Sequence, residues 1–164
     1  MYIGLISDTH GTFSDDIREF LSPVDEIWHA GDFGGGLSLA WEISQFKPLV
    51  GVCGNADEYN LRYDYPPYRF FEREGQGVLM THIGGYPGHY NPAAEQLIRQ
   101  CRPTIFVCGH SHILRVMHDD FYDMMVLNPG ACGLQGFHLS RTALRFRLDG
   151  DGLHDMEVYD IPRG

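Results

Sequence analysis

Apolar residues come in short runs separated by amphipathic stretches. Residues 2–7 form an apolar run that stops at Asp8, and a helical pattern follows, with Ser14 placed to cap it and Ile17, Phe20 and Leu21 on one face. Residues 24–29 read as a second strand, Leu39, Ile43 and Phe46 mark a second amphipathic helix, and residues 48–53 form a third strand. This βαβαβ order predicts parallel strands with crossover helices, and in such sheets ligands gather beyond the carboxyl ends of the strands. After Asn60 the chain turns irregular and aromatic, with Tyr63, Pro66, Pro67 and Tyr68, which leaves a lid, a partner-binding segment and an ordinary packed loop all open. Strands near 70–72 and 78–81 precede a third helix capped by Asn91, with Pro92 at its first position and Leu97, Ile98 and Cys101 facing inward. A strand over 104–108 comes next. From residue 113 onward short strands predict a mainly antiparallel second half: 113–117, 122–127, and a hairpin of 142–148 with 153–159 around Asp149-Gly150-Asp151-Gly152. In that hairpin Arg145 and Arg147 alternate with Leu144, Phe146 and Leu148, the pattern of a half-exposed strand and not of a phosphate clamp.

The chain has 164 residues, which predicts a single domain over 1–164, large enough to bury a core without disulfides or a structural metal. With 12 basic and 22 acidic residues its net charge is −10, which argues against long nucleic acid and anionic membrane as partners. Lys47 is the sole lysine and sits outside any Gly-Lys-Ser/Thr loop, so a P-loop NTPase is excluded. No basic start with a long apolar run occurs, and the expected location is the cytoplasm. Cys53, Cys101, Cys108 and Cys132 make no Cys-x-x-Cys pair and read as reduced structural thiols.

The residues just past each predicted strand are more informative. They are Asp8-Thr9-His10, Gly31-Asp32, Gly54-Asn55, Thr81-His82 and Gly109-His110-Ser111-His112. A turn explains any one of these segments; five in order, each at a strand end, point to one site. Glycine ahead of a ligand lets the backbone turn sharply with no side chain in the way. Asp8, His10, Asp32, Asn55, His82, His110 and His112 supply two carboxylates, one amide oxygen and four imidazoles, too many for a single ion that keeps a position open. Two divalent ions fit better. Their +4 against −2 makes a positive pocket in an acidic protein, which draws a phosphate ester. Such a pair activates water as a metal-bound hydroxide for in-line attack, so Ser7, Thr9 and Ser111 read as loop hydroxyls and not nucleophiles. Mixed oxygen and imidazole donors suit Mn²⁺, Fe²⁺, Ni²⁺, Co²⁺ or Zn²⁺, of which Mn²⁺ is the expected choice in assay.

These motifs make the chain resemble, over nearly its whole length, the calcineurin-like metallophosphoesterases, and within them the small bacterial and archaeal phosphodiesterases related to the retromer subunit Vps29. The resemblance implies a four-layer α/β/β/α sandwich with two mixed β-sheets flanked by helices. It implies that Asp8, His10 and His112 hold one ion, that Asn55, His82 and His110 hold the other, and that Asp32 bridges them. Asp32, Asn55 and His82 are the expected catalytic residues. The implied activity is a dinuclear metal-dependent phosphodiesterase acting on a small phosphate ester; the alternative is a metal-retaining scaffold like Vps29. Monoester against diester preference and oligomeric state stay open.

The sequence departs from the family in places. Many members carry histidine after the metal-binding asparagine, where it can protonate the leaving oxygen, but here Ala56 follows Asn55. Loss of that acid predicts a preference for good leaving groups. Asp57 reads either as a carboxylate orienting a ligand imidazole or as a turn residue. His82 is followed by Ile83 where relatives often have glycine, and His89 in the next loop is a candidate substitute acid. His29 reads as a packed histidine, His118, His138 and His154 as surface or structural, and Asn128-Pro129-Gly130 as a plain turn.

Overall fold

A computed structural model describes residues 1–163. The elements are β1 (Tyr2–Ile6), α1 (Asp15–Leu21), β2 (Glu26–His29), α2 (Gly36–Phe46), β3 (Leu49–Gly51), β4 (Tyr68–Arg73), β5 (Gln76–Thr81), α3 (Pro92–Cys101), β6 (Ile105–Val107), β7 (Leu114–Asp119), β8 (Met124–Pro129), β9 (Ser140–Asp149) and β10 (Gly152–Pro162). Two five-stranded sheets form, in the orders β10-β9-β1-β2-β3 and β4-β5-β6-β8-β7. Strands β1, β2 and β3 are parallel, as the alternation predicts. The antiparallel second half is also found in β7–β8 and β9–β10, but β8 lies parallel to β6 because β7 carries the chain back before it re-enters the sheet.

The layers follow from strand alternation. Ile3 and Leu5 of β1, Trp28 of β2 and Leu144, Phe146 and Leu148 of β9 meet Val78 and Met80 of β5 and Ile105 and Val107 of β6 between the sheets. The opposite face of the first sheet takes Ile17 and Leu21 of α1 and Leu39 and Ile43 of α2; that of the second takes Ala94 and Ile98 of α3 against Leu79 and Phe106. The result is the four-layer α/β/β/α sandwich. On β9, Arg145 faces outward to Glu157 at 2.8 Å. Among the described residues, no helix is long and apolar enough to cross a membrane.

Of the two expected caps, one forms and one does not. Asn91 caps α3, accepting from Ala93 N–H (3.0 Å) and Ala94 N–H (3.2 Å). Ser14 stands at the α1 N-cap but makes no capping bond, because its hydroxyl is taken by the Asp16 carboxylate and the Arg141 guanidinium. The aromatic stretch opens as a 3-10 turn, Tyr59–Tyr63, whose Leu61 is buried; Tyr65 packs on Phe33 with ring centroids 5.0 Å apart. Leu61 and Tyr65 anchor this half of the segment, while Tyr59 and Tyr63 stand exposed.

Candidate metal centre

All seven predicted residues converge. Asp8 follows β1, Asp32 follows β2, Asn55 follows β3, His82 follows β5, and His110 and His112 follow β6. These are the carboxyl ends of parallel strands in both sheets, so one edge of the sandwich collects every donor. Two sets of donor atoms, Asp8/His10/His112 and Asp32/His82/His110, each lie within 4.8 Å of one another and could each hold an ion. Asn55 joins the second set, its Oδ1 lying 3.1 Å from His110 Nδ1. Asp32 Oδ2 sits between the sets, 3.2 Å from His82 Nε2 and 3.7 Å from His10 Nε2.

The backbone is bent to make this possible. Nine non-glycine residues have positive φ, and five of them are Asp8 (54°), His10 (44°), Asp32 (57°), His110 (68°) and His112 (62°). Each left-handed residue costs about 1–2 kcal/mol, a strain characteristic of functional loops. Hydrogen bonds from Asp8 N–H to Gly31 O (2.9 Å), His10 N–H to Asp32 O (3.2 Å) and Gly109 N–H to His82 O (2.9 Å) hold the loops together. At Gly31, φ is 101° and an added Cβ would lie 2.6 Å from His82 Nδ1, so only glycine fits beneath that ring.

Each carboxylate has one oxygen anchored and one presented. Asp8 Oδ2 accepts from Ser7 Oγ (2.6 Å) and His110 N–H (3.1 Å), leaving Oδ1 toward the histidines. Asp32 Oδ1 accepts from Ala56 N–H at 2.8 Å, leaving Oδ2. Burial pushes both carboxyls up, but His112, His82 and Ser7 around Asp8, and His82 and Ala56 around Asp32, more than offset it, and both stay below the ordinary range. His82 shows the complement: burial lowers it, while Asp32 and Asp8 raise it further.

Two imidazoles are locked in orientation. His82 Nδ1–H donates to Ala30 O at 2.7 Å, so in the neutral ring Nε2 carries a lone pair. That buried Nε2 has no aligned hydrogen-bond partner and faces the Asp32 carboxylate. Either a proton on His82 or a metal ion held by both atoms satisfies this pair, and the mixed oxygen and imidazole donors suit a divalent ion. His112 repeats the pattern through a residue that motif reading missed. His138 is buried; its Nε2–H donates to Gly133 O at 2.9 Å, which leaves its Nδ1 to accept from His112 Nδ1–H at 3.1 Å. With neutral rings, the His112 Nε2 lone pair then faces Asp8 Oδ1, also 3.1 Å away. His138 thus stands behind His112 as Ala30 O stands behind His82.

Other expectations resolve as follows. Asp57 touches no imidazole: it accepts from Gly54 N–H (2.7 Å) and Gly34 N–H (3.2 Å), the turn role. His29 is fully buried, stacked on Phe33 at 3.6 Å, with Nδ1 accepting from Gly31 N–H and Nε2 bonded to Thr9; burial takes its pKa down to about 3, so it stays neutral. Asn128 does more than turn the chain, since its amide donates to Gly109 O (3.0 Å) and Ser111 Oγ (3.1 Å) and so braces the His110–His112 loop. His89 is exposed and lies beside Tyr86, lining a neighbouring cavity. His118 and His154 are exposed and pair with surface aspartates. Burial pushes the Cys108 and Cys132 thiols to about 12, which leaves them unreactive.

Sequence and structure comparison bear on the same geometry. The model of the calcineurin-like phosphoesterase superfamily domain matches residues 1–151. The chain belongs to this superfamily. No curated protein matches it by sequence. Among solved structures this superfamily member is similar to Vps29 from Cryptosporidium parvum, at 19% identity and a TM-score of 0.73 over 98% of this chain and 97% of that one. It is similar to an archaeal phosphodiesterase at 22% identity and a TM-score of 0.72, over 98% and 100% of the two chains. A zinc-complexed Vps29 from Entamoeba histolytica shares the fold at 16% identity and a TM-score of 0.66, over 98% and 99%. These likenesses establish a common fold.

Proposed function

We propose that this chain is a dinuclear metal-dependent phosphodiesterase for small phosphate esters. In this reading Asp8, His10 and His112 hold one divalent ion, Asn55, His82 and His110 the other, and Asp32 bridges. The observation that carries it is the convergence at one edge of the sandwich of two sets of donor atoms, each set within 4.8 Å. When bound, the two ions supply Lewis acidity, a nucleophile at neutral pH and charge neutralisation for in-line phosphoryl displacement. Asp32, fixed by Ala56 N–H, holds its free oxygen between the two sets; Ala30 O and His138 keep His82 and His112 from rotating away. His110 and Asn55 are exposed at the mouth, where an entering ester meets them first.

Proton donation to the leaving oxygen has no evident residue here. Ala56 has no proton to give, and no hydrogen bond ties exposed His89 to the centre. Esters with acidic leaving groups are therefore the favoured substrates. Because a Vps29 also binds zinc, metal binding alone does not separate enzyme from scaffold. The test is hydrolysis of bis(p-nitrophenyl) phosphate and p-nitrophenyl phosphate by chelator-stripped protein resupplied with Mn²⁺, beside Asp32→Ala. Metal-rescued turnover that the variant lacks is the expected result, with the diester faster. Absence of turnover with Mn²⁺, Zn²⁺, Ni²⁺ and Co²⁺ alike would overturn the proposal in favour of the scaffold.

A further inference from the structure

We infer that the apolar cavity beside Asn55 and His82 is the binding site for an aromatic substituent of the phosphate ester. The cavity has a volume of about 330 Å³ and shares Asn55 and His82 with the candidate metal centre. Away from those two residues its wall is largely apolar: Cys53, Pro67 and Tyr68 from one side, Ala93 and Leu97 of α3 from the other. A second cavity, of about 520 Å³, opens on the other side of Asn55, lined by His10, Asp32 and His112. A phosphoryl group held at the donors would therefore have the apolar slot at its flank. A diester carries two organic groups, and the slot has the lining to take one of them.

Arg62 narrows the chemistry. It is exposed, lines this cavity, makes no ion pair with a carboxylate among the described residues and lies over the Tyr59 ring, 5.4 Å from its centroid. A guanidinium at the rim, already lying over one aromatic ring, with half-exposed Tyr68 in the wall, favours a flat aromatic group, which can stack on both, over an aliphatic one. In a protein of net charge −10, Arg62 also places positive charge where an anionic ester enters.

The inference rests on the phosphoesterase reading for its phosphoryl position, so the test uses ligands that are not turned over. Phenylphosphonate and methylphosphonate carry the same anionic head and differ only in the ring. Calorimetric titration into Zn²⁺-loaded protein should show phenylphosphonate binding about tenfold tighter. Ala93→Trp, at an exposed position in the first turn of α3, fills the slot and should bring the two affinities together. Arg62→Ala should reduce the preference about threefold, a second readout if the tryptophan variant melts early. Equal affinities in the wild type, or a preference that survives Ala93→Trp, would overturn the inference even if esters are hydrolysed. A ring preference without turnover of any ester would sustain the slot and overturn the phosphodiesterase.

Discussion

Gly54→Ala tests whether the loops are built around the centre. An added Cβ would lie 2.1 Å from Asp32 Oδ1 and 2.3 Å from Asp32 N. Ordinary contact begins at 3.4 Å, so the carboxylate and the Gly54 loop must part by about 1.3 Å. Asp32 cannot yield freely, because Oδ1 is held by Ala56 N–H at 2.8 Å and Gly54 N–H is itself tied to Asp57 at 2.7 Å. Overpacking of this kind costs about 1–3 kcal/mol. For a chain of this length that lowers Tm by roughly 2–12 °C, which leaves the protein folded at 25 °C. The larger effect falls on chemistry, since a displacement of about 1 Å at a reacting centre can cost about a hundredfold in rate. Gly150→Ala is the control: nothing lies within 4 Å of its added Cβ, and its φ is not in the left-handed range. It should leave turnover intact and raise stability by about 0.4–1 kcal/mol or leave it unchanged. The assay pairs thermal melts with Mn²⁺ titration and diester hydrolysis for all three proteins. A Gly54→Ala protein that binds metal and turns over ester like the wild type would refute the placement of Asp32 at the centre.

Four further outcomes are expected. Mn²⁺ at about 100 times its dissociation constant should add about 2.7 kcal/mol of stability, a Tm rise of roughly 5–11 °C that Asp32→Ala loses; no shift in the wild type would count against the donor sets as a metal site. His138→Ala frees the His112 ring and should weaken metal affinity about 10- to 100-fold in chelator competition, with His138→Gln, which keeps an acceptor, recovering part of it; wild-type affinity in His138→Ala would show the contact to be incidental. In metal-free protein, His110→Gly should be more stable to urea than His110→Ala by about 1 kcal/mol, because φ at this exposed position is 68°; equal midpoints would deny the strain. Arg141 beside Asp16, with Ser14 and Tyr159 assisting against partial burial, holds that carboxyl below its ordinary value, so the unfolded chain takes up the proton first as pH falls. This contribution is present above about pH 4 and is lost progressively below it, toward the folded value; Asp16→Asn should thus lower the urea midpoint at pH 7 by more than it does at pH 2, and a constant difference would refute the linkage.

The convergence of the seven donors was legible in the sequence because each stands within a few residues of a strand's carboxyl end, where a glycine or a short polar turn follows an apolar run. Asp8, Asp32, Asn55, His82, His110 and His112 need only the parallel order of β1, β2, β3, β5 and β6 to converge, and hydrophobic periodicity predicts most of that order. Even the strain left a trace: Gly31 and Gly109 precede Asp32 and His110, which take positive φ. What was not legible is held by contacts across long stretches of chain. His138 reaches His112 from the loop before β9, and no local pattern distinguishes it from His118 or His154, which pair at the surface. Ser14 looked like a cap until Arg141, 127 residues away, claimed its hydroxyl. Asp57 fits either of two roles by spacing, and the backbone amides of Gly34 and Gly54 decide between them. Donors set by strand ends are therefore visible one residue at a time, while the groups that aim those donors depend on the packed fold. The variants that aim without ligating, His138→Ala and Gly54→Ala, probe the part of the site that local motifs do not encode.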